Sequence, residues 1–304
     1  MQNSNHLLMI RPVNFGYNAQ TAVNNNFQTD TGHGTQQKAV EEFDAFVQLL
    51  QNNKVDVTVV EDTPEPFTPD SIFPNNWISF HENGFVFLYP MFAENRRQER
   101  KTSVVDVIKN KFIVTEIKDI SIAENENIFL EGTGSMVLDR ENKIAYACIS
   151  PRTNERLLND FCNIAGYTAV SFTATDENDV LIYHTNVMMC VADKYAVVCL
   201  SSIIDEKEKN KLISSLQKSG KEIIEISFAQ LLQFAGNMLQ VKTTEDELLL
   251  VMSTQAYNSL NTIQRETLEQ FNRIIHSPLH TIETAGGGSA RCMMAEVFLE
   301  KRKD

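Results

Sequence analysis

A unit of two short strands, a helix and a further strand returns along this 304-residue chain, and that recurrence limits what it can fold into. Within polar motifs the period is explicit: Asn76, Gly134, Asn186 and Asn237 are separated by 58, 52 and 51 residues. A unit this small cannot bury its apolar face alone and must stack on its neighbours, as in a propeller or similar closed array. A doubly wound sheet would also alternate strands and helices, but it needs no paired strands between helices. The expected fold class is therefore α/β, a five-bladed α/β propeller of ββαβ repeats with pseudo-five-fold symmetry, over 1–304 as a single domain.

Strands are read from apolar, β-branched runs bounded by Gly, Asn and Asp, and helices from apolar residues at helical spacing. The first unit has a strand over 7–13, a polar loop over 17–35, a helix over 36–52 and a strand over 55–60. The second has strands over 72–80 and 85–89, a helix over 96–109 and a strand over 112–117. In the third these elements fall at 135–138, 143–149, 154–165 and 167–172, and in the fourth at 187–191, 195–200, 205–218 and 222–226. The fifth has strands over 238–241 and 248–252, a helix over 259–274 and a strand over 279–283; a segment over 297–299 would return to close the ring.

Charge narrows the partners. With 40 acidic against 27 basic residues the net charge is −13, which repels nucleic acid and anionic membrane alike. No run approaches the roughly 18 apolar residues of a membrane span, and the N-terminus has no signal-like pattern. The five cysteines are odd in number and form no C-x-x-C pair, so reduced thiols in a cytoplasmic protein are expected. Cys148, Cys190 and Cys199 lie in apolar strand-like runs and read as packing. No metal or organic cofactor is implied, since no ligand-spaced His/Cys cluster occurs.

Four segments look less like scaffold than the rest. The first, Pro69 to Trp77, holds Asp70, Phe73, Asn75, Asn76 and the only Trp; it reads either as a turn or as a site. In the second, Glu131 precedes Gly132 and Gly134, either as a solvated turn residue or as a carboxylate where backbone approaches a ligand closely. His184 and Asn186 in the third are two apart, so on a strand they share a face. The fourth is the sharpest. Gly286-Gly287-Gly288 leads to Arg291 and Cys292, and a cation beside a thiol favours the attacking thiolate.

From Ile10-Arg11-Pro12 to Gly286-Gly287-Gly288-Ser289-Ala290-Arg291-Cys292-Met293 the chain resembles the guanidino-group-modifying (pentein) superfamily of arginine deiminases, dimethylarginine dimethylaminohydrolases and amidinotransferases, closest to citrulline-utilisation-type members labelled amidinotransferase. The resemblance implies the propeller fold and a small-molecule guanidino or ureido substrate. It implies Cys292 as nucleophile, His184 as acid/base, and Glu131 either orienting His184 or binding a substrate N–H. Where the family grips guanidinium with Phe-x-x-Asp, this chain has Phe73-Pro74-Asn75-Asn76, and Asn186 stands where an acid follows the His. Substrate contacts are thus expected from Asp70, Phe73, Asn75, Asn76, Asn186 and Arg291, with Arg11, Arg152 or Arg291 available to a carboxylate. Asparagine offers both a donor and an acceptor, which suits a neutral ureido group, whereas Glu131 could still hold a cation. Transfer of the amidino group to an amine, and a non-catalytic binding protein like the ribosome anti-association factors of this fold, are the alternatives.

Overall fold

The computed structural model describes residues 1–30, 32 and 34–303, so the expected polar loop over 17–35 is covered except at two positions. Fifteen strands form five three-stranded sheets. In every sheet the middle strand pairs antiparallel with the first and parallel with the third. A parallel pair needs a crossover, and a helix supplies each one.

The first sheet joins Ala295–Glu296, His6–Arg11 and Asp56–Glu61, so the C-terminal end of the chain completes the sheet that the N-terminal end begins. The second contains Ile78–Phe80, Phe85–Leu88 and Glu116–Asp119. Val137–Asp139, Ile144–Cys148 and Thr168–Phe172 form the third, and Met189–Val191, Tyr195–Val198 and Glu222–Glu225 the fourth. Leu239–Lys242, Leu248–Ser253 and Arg273–Ser277 make the fifth.

Burial grades across each sheet. The first strands of the second, third and fourth sheets are buried at every residue, whereas third strands such as Glu116–Asp119 and Glu222–Glu225 are mostly exposed or half-buried. First strands of different sheets also touch: Ala295–Glu296 meets Ile78–Phe80, and Met189–Val191 meets both Val137–Asp139 and Leu239–Lys242. The side chain of Gln2 ties this inner region together, donating to the carbonyls of Leu138 and Val191 and accepting from the Arg140 amide. Crossover helices lie outside and bury one stripe; Thr35–Asn52 buries Ala39, Phe43, Phe46, Val47 and Leu50.

Several boundaries differ from expectation. The expected helix over 259–274 is two short helices, Thr254–Ser259 and Thr262–Glu269, and its last residues belong to the strand Arg273–Ser277. Ser253 and Asn261 each cap a helix N-terminus, which forces the restart. The expected strand over 279–283 is instead the helix His280–Gly286. Strand 112–117 moves to Glu116–Asp119, because Phe112 bridges to Lys301 near the C-terminus. The returning C-terminal strand is Ala295–Glu296, paired with His6–Arg11, rather than 297–299.

Candidate active site

Each inner strand is preceded by a tight turn, and these turns carry the polar motifs. Pro74–Asn76 precedes Ile78, Gly132–Ser135 precedes Val137, Thr185–Met188 precedes Met189, and Ala290–Met293 precedes Ala295. Asn237 holds the corresponding place before Leu239. Their adjacency in space explains how residues more than 200 positions apart come to line one cleft of about 270 Å³. Asp70, Phe73, Asn76, His184, Gly286–Gly288 and Cys292 all contribute to its wall, together with Arg96, Arg152 and Tyr183.

His184 is not on a strand, so the reading that it shares a strand face with Asn186 is corrected. It is extended (φ −136°, ψ 138°) and caps the turn Thr185–Met188, in which Asn186 sits. The turn is pinned where the Thr185 hydroxyl donates to the Ser135 carbonyl at 2.6 Å. His184 Nε2 lies 2.7 Å from Glu131 Oε2, and both side chains are buried. An ionised carboxylate only accepts, so Nε2 carries the proton and Nδ1 presents its lone pair. Gly134 lies beneath that ring: a Cβ there would come within 2.8 Å of Nδ1 and closer still to the Asn76 amide nitrogen.

The charges around this pair set its protonation. Burial alone would raise Glu131, but the Arg152 charge, the His184 hydrogen bond and Arg96 bring it down to about 2. Burial lowers His184 to about 4, against the pull of Glu131 and with help from Arg152 and Arg96. At neutral pH the pair is therefore carboxylate and neutral imidazole. Stability follows with a definite sign. A group held below its ordinary value stabilises the fold fully above that value, and the contribution is lost as pH falls to the folded value. His184 thus costs stability between about pH 6.5 and 4, and Glu131 between about 4.5 and 2. Glu99 and Glu283, both raised by burial to about 7, gain stability over the same range, so the test is comparative: we expect His184→Gln to gain melting temperature relative to wild type as pH drops from 7 to 4 in thermal scans. His6 and His81, also lowered by burial, leave a residual slope.

Two asparagines hold the sulfur. Asn186 Nδ2 is 3.4 Å from Cys292 Sγ and Asn237 Nδ2 is 3.3 Å away. The Asn237 amide cannot turn over: Nδ2 also donates to the Asn186 carbonyl, and Oδ1 accepts the Arg291 backbone N–H. Arg291 itself does not line the cleft. Its guanidinium donates to the Met294 carbonyl and pairs with Glu296, so the neighbouring cation expected beside the thiol points elsewhere.

A second fixed amide faces the cleft. Arg96 is buried and bidentate to Glu99, and its Nη1 donates to Asn76 Oδ1 at 2.9 Å. Burial opposes the charge on Arg96, but Glu99 and Asp70 more than offset it. Guanidinium has no acceptor, so Asn76 must turn its oxygen to Arg96 and its Nδ2 away. That Nδ2 is buried and has no hydrogen-bond partner among the described residues. Asp70 Oδ2 accepts from Asn18 and Thr21, while buried Oδ1 likewise lacks a partner. One donor and one acceptor at the cleft wall are thus without a partner among the described residues.

Other expected residues part company with the cleft. Asn75 is buried behind it, and its carbonyl presses on Gly132, whose φ of +46° and lack of Cβ permit the approach. Arg11 pairs with Asp44 and Glu61 near the surface. Of the three arginines considered for a carboxylate, Arg152 alone lines the cleft; it stacks on Tyr183 and lies 3.6 Å from Glu131. Arg96 and Asn237 stand at the site although the sequence reading gives them no role there. The repeat spacing already marked Asn237, whereas Arg96 looked like one more charge on a helix.

The profile of the family described as N,N dimethylarginine dimethylhydrolase, eukaryotic, matches residues 11–299. The chain belongs to this family. It thereby falls in the guanidino-modifying pentein superfamily, and the α/β fold with five small sheets is that of its solved relatives. The apo structure of the cyanobacterial arginine dihydrolase ArgZ is 19% identical with a TM-score of 0.77, covering 97% of this chain and 40% of that one. This chain therefore spans well under half the length of full-length ArgZ. The product-bound N-terminal domain of ArgZ is 19% identical at a TM-score of 0.75, covering 96% of this chain and 97% of that domain. A dimethylarginine dimethylaminohydrolase adduct with 4-chloro-2-hydroxymethylpyridine is 16% identical at a TM-score of 0.66, covering 96% and 99%. Among curated protein sequences no significant match is found.

Proposed function

We propose that this family member is a cysteine-dependent hydrolase of a C–N bond in the guanidino or ureido group of an arginine- or citrulline-like small molecule, working through a covalent intermediate on Cys292. In this reading the five sheets are the blades of a five-bladed α/β propeller with pseudo-five-fold symmetry, and 1–304 is one domain with the cleft at its centre. The five free cysteines fit a reducing, cytoplasmic setting.

The observation that carries the reading is a single cleft shared by a cysteine sulfur, an imidazole oriented by a buried carboxylate, and unmatched polar groups suited to a planar C–N substrate. The thiol proton of Cys292 passes to His184 Nδ1 as sulfur adds to the central carbon. Glu131 stabilises the imidazolium that results. His184 then protonates the departing nitrogen, and the C–N bond breaks. Water, deprotonated by the neutral imidazole, attacks the carbon bound to sulfur; the C–S bond breaks and the sulfur recovers its proton. Amide N–H groups of Asn186 and Asn237 support the sulfur while it carries charge.

Within this class the amide of Asn76 favours a ureido group. Its N–H needs an acceptor, which a ureido carbonyl supplies and a guanidinium, with N–H groups only, does not. Asp70 Oδ1 would take a ureido N–H. A panel of citrulline, arginine, agmatine and N-substituted arginines, scored for ammonia and amine release, tests the reading. Citrulline should be the best substrate. Turnover seen only after an acceptor amine is added would instead identify an amidinotransferase, and no turnover with Cys292 inert to an electrophilic amidine would identify a binding protein.

A further inference from the structure

Behind the nucleophile turn lies a carboxylate that the mechanism leaves unused. Glu283 sits in the helix His280–Gly286, which runs into left-handed Gly287 (φ +63°) and then the turn that holds Cys292. Its side chain is buried, and its Oε1 accepts the Ser289 hydroxyl at 2.6 Å. The Ser289 carbonyl in turn accepts the Cys292 backbone N–H at 2.9 Å, and the Glu283 carbonyl accepts the Gly287 N–H at 3.0 Å. One residue therefore grips both ends of the glycine turn.

Among the described residues nothing cationic compensates for it: no lysine or arginine pairs with Glu283, and Oε2 is buried without a hydrogen-bond partner. The charge facing it is Glu42 on the helix Thr35–Asn52, which accepts the Thr281 and Ile282 amides. Burial pushes the Glu283 carboxyl up to about 7; the neighbouring Ser253 and the hydrogen-bonded Ser289 hydroxyl pull against it, and Glu42 adds to it. An acid raised in the folded state is stabilising only while protonated, so this contribution declines as pH rises from about 4.5 through about 7.

We propose that Glu283 is a positioning residue that fixes the Cys292 turn through Ser289. This rests on the reading of Cys292 as nucleophile. The test compares Glu283→Ala, Glu283→Gln and Ser289→Ala in the full chain. We expect Glu283→Ala and Ser289→Ala each to lower kcat by about tenfold or more with KM little changed, and Glu283→Gln to recover most of the loss. Glu283→Gln should also melt several degrees above wild type at pH 8, with the gap closing toward pH 5. Unchanged kcat in both truncations, or Glu283→Gln as impaired as Glu283→Ala, overturns the proposal. Should no substrate be turned over, the substrate reading fails separately, and alkylation of Cys292 by iodoacetamide, followed by mass spectrometry, decides this one. The rate should change at least about fivefold in both truncations and return in Glu283→Gln; equal rates in all four proteins overturn it. Ser289→Ala keeps the test available if Glu283→Ala does not fold.

Discussion

Cys292→Ser will lose turnover by at least about 1,000-fold while keeping its fold and melting temperature close to wild type. The reasoning is local. Cys292 lines the cleft and accepts two amide N–H groups, so a hydroxyl of similar size occupies the same place. What disappears is nucleophilicity: an alcohol is far harder to deprotonate than a thiol, and His184, held low by burial and by Arg152, is a weak base for it. Binding should survive, so the substrate will still raise the melting temperature of the variant. Retention of more than about a tenth of wild-type kcat would mean that the covalent step does not use this sulfur.

Asn76→Asp will move the preference from ureido toward guanidino substrates by about 100-fold in the ratio of kcat/KM. Arg96 Nη1 will hold one carboxylate oxygen as it now holds the amide oxygen. The atom that faces the ligand then changes from donor to acceptor. A guanidinium gains a charge-assisted hydrogen bond, and a ureido carbonyl meets a like partial charge. Kinetics on citrulline and arginine in parallel read this directly. If both substrates lose activity equally, Asn76 is a structural residue and does not choose between them.

Much of the fold is legible in the chain because each repeat announces itself twice, by apolar β-branched runs and by a helix stripe. The strands around Asp56–Glu61, Ile144–Cys148 and Thr168–Phe172 fall within a residue or two of expectation, since alternation and bounding turns agree there. The last unit misled for a physical reason. Arg273 and His276 interrupt the apolar character of an outer strand that is half solvated, so Ile274 reads as the end of a helix. His280–Gly286 meanwhile looks β-like, but Glu42 caps its first amides from another element, which no local pattern can reveal. At Phe112 the apolar residue packs against the C-terminal segment and so lies outside the strand it seemed to begin.

The cleft shows the same division. Cys292, His184, Glu131 and Asn76 stand out as polar residues at recurring points of the repeat, and those points lie in or beside the turns before the inner strands. Direction was the hidden quantity. Arg291 and Cys292 are adjacent in sequence, yet one side chain turns to Glu296 and the other to the cleft. Arg96 acts at a distance by orienting an amide, a role visible only when donors and acceptors are counted in space.

Intact-mass spectrometry of the protein quenched with acid during turnover, followed by peptide mapping, bears most directly on Cys292 as the atom that carries the intermediate. A substrate-derived adduct on the peptide containing Cys292, absent from Cys292→Ser and decaying as product forms, is the predicted result. Steady turnover of the wild-type protein with no modified cysteine at any quench time, from the first turnover onward, would contradict it.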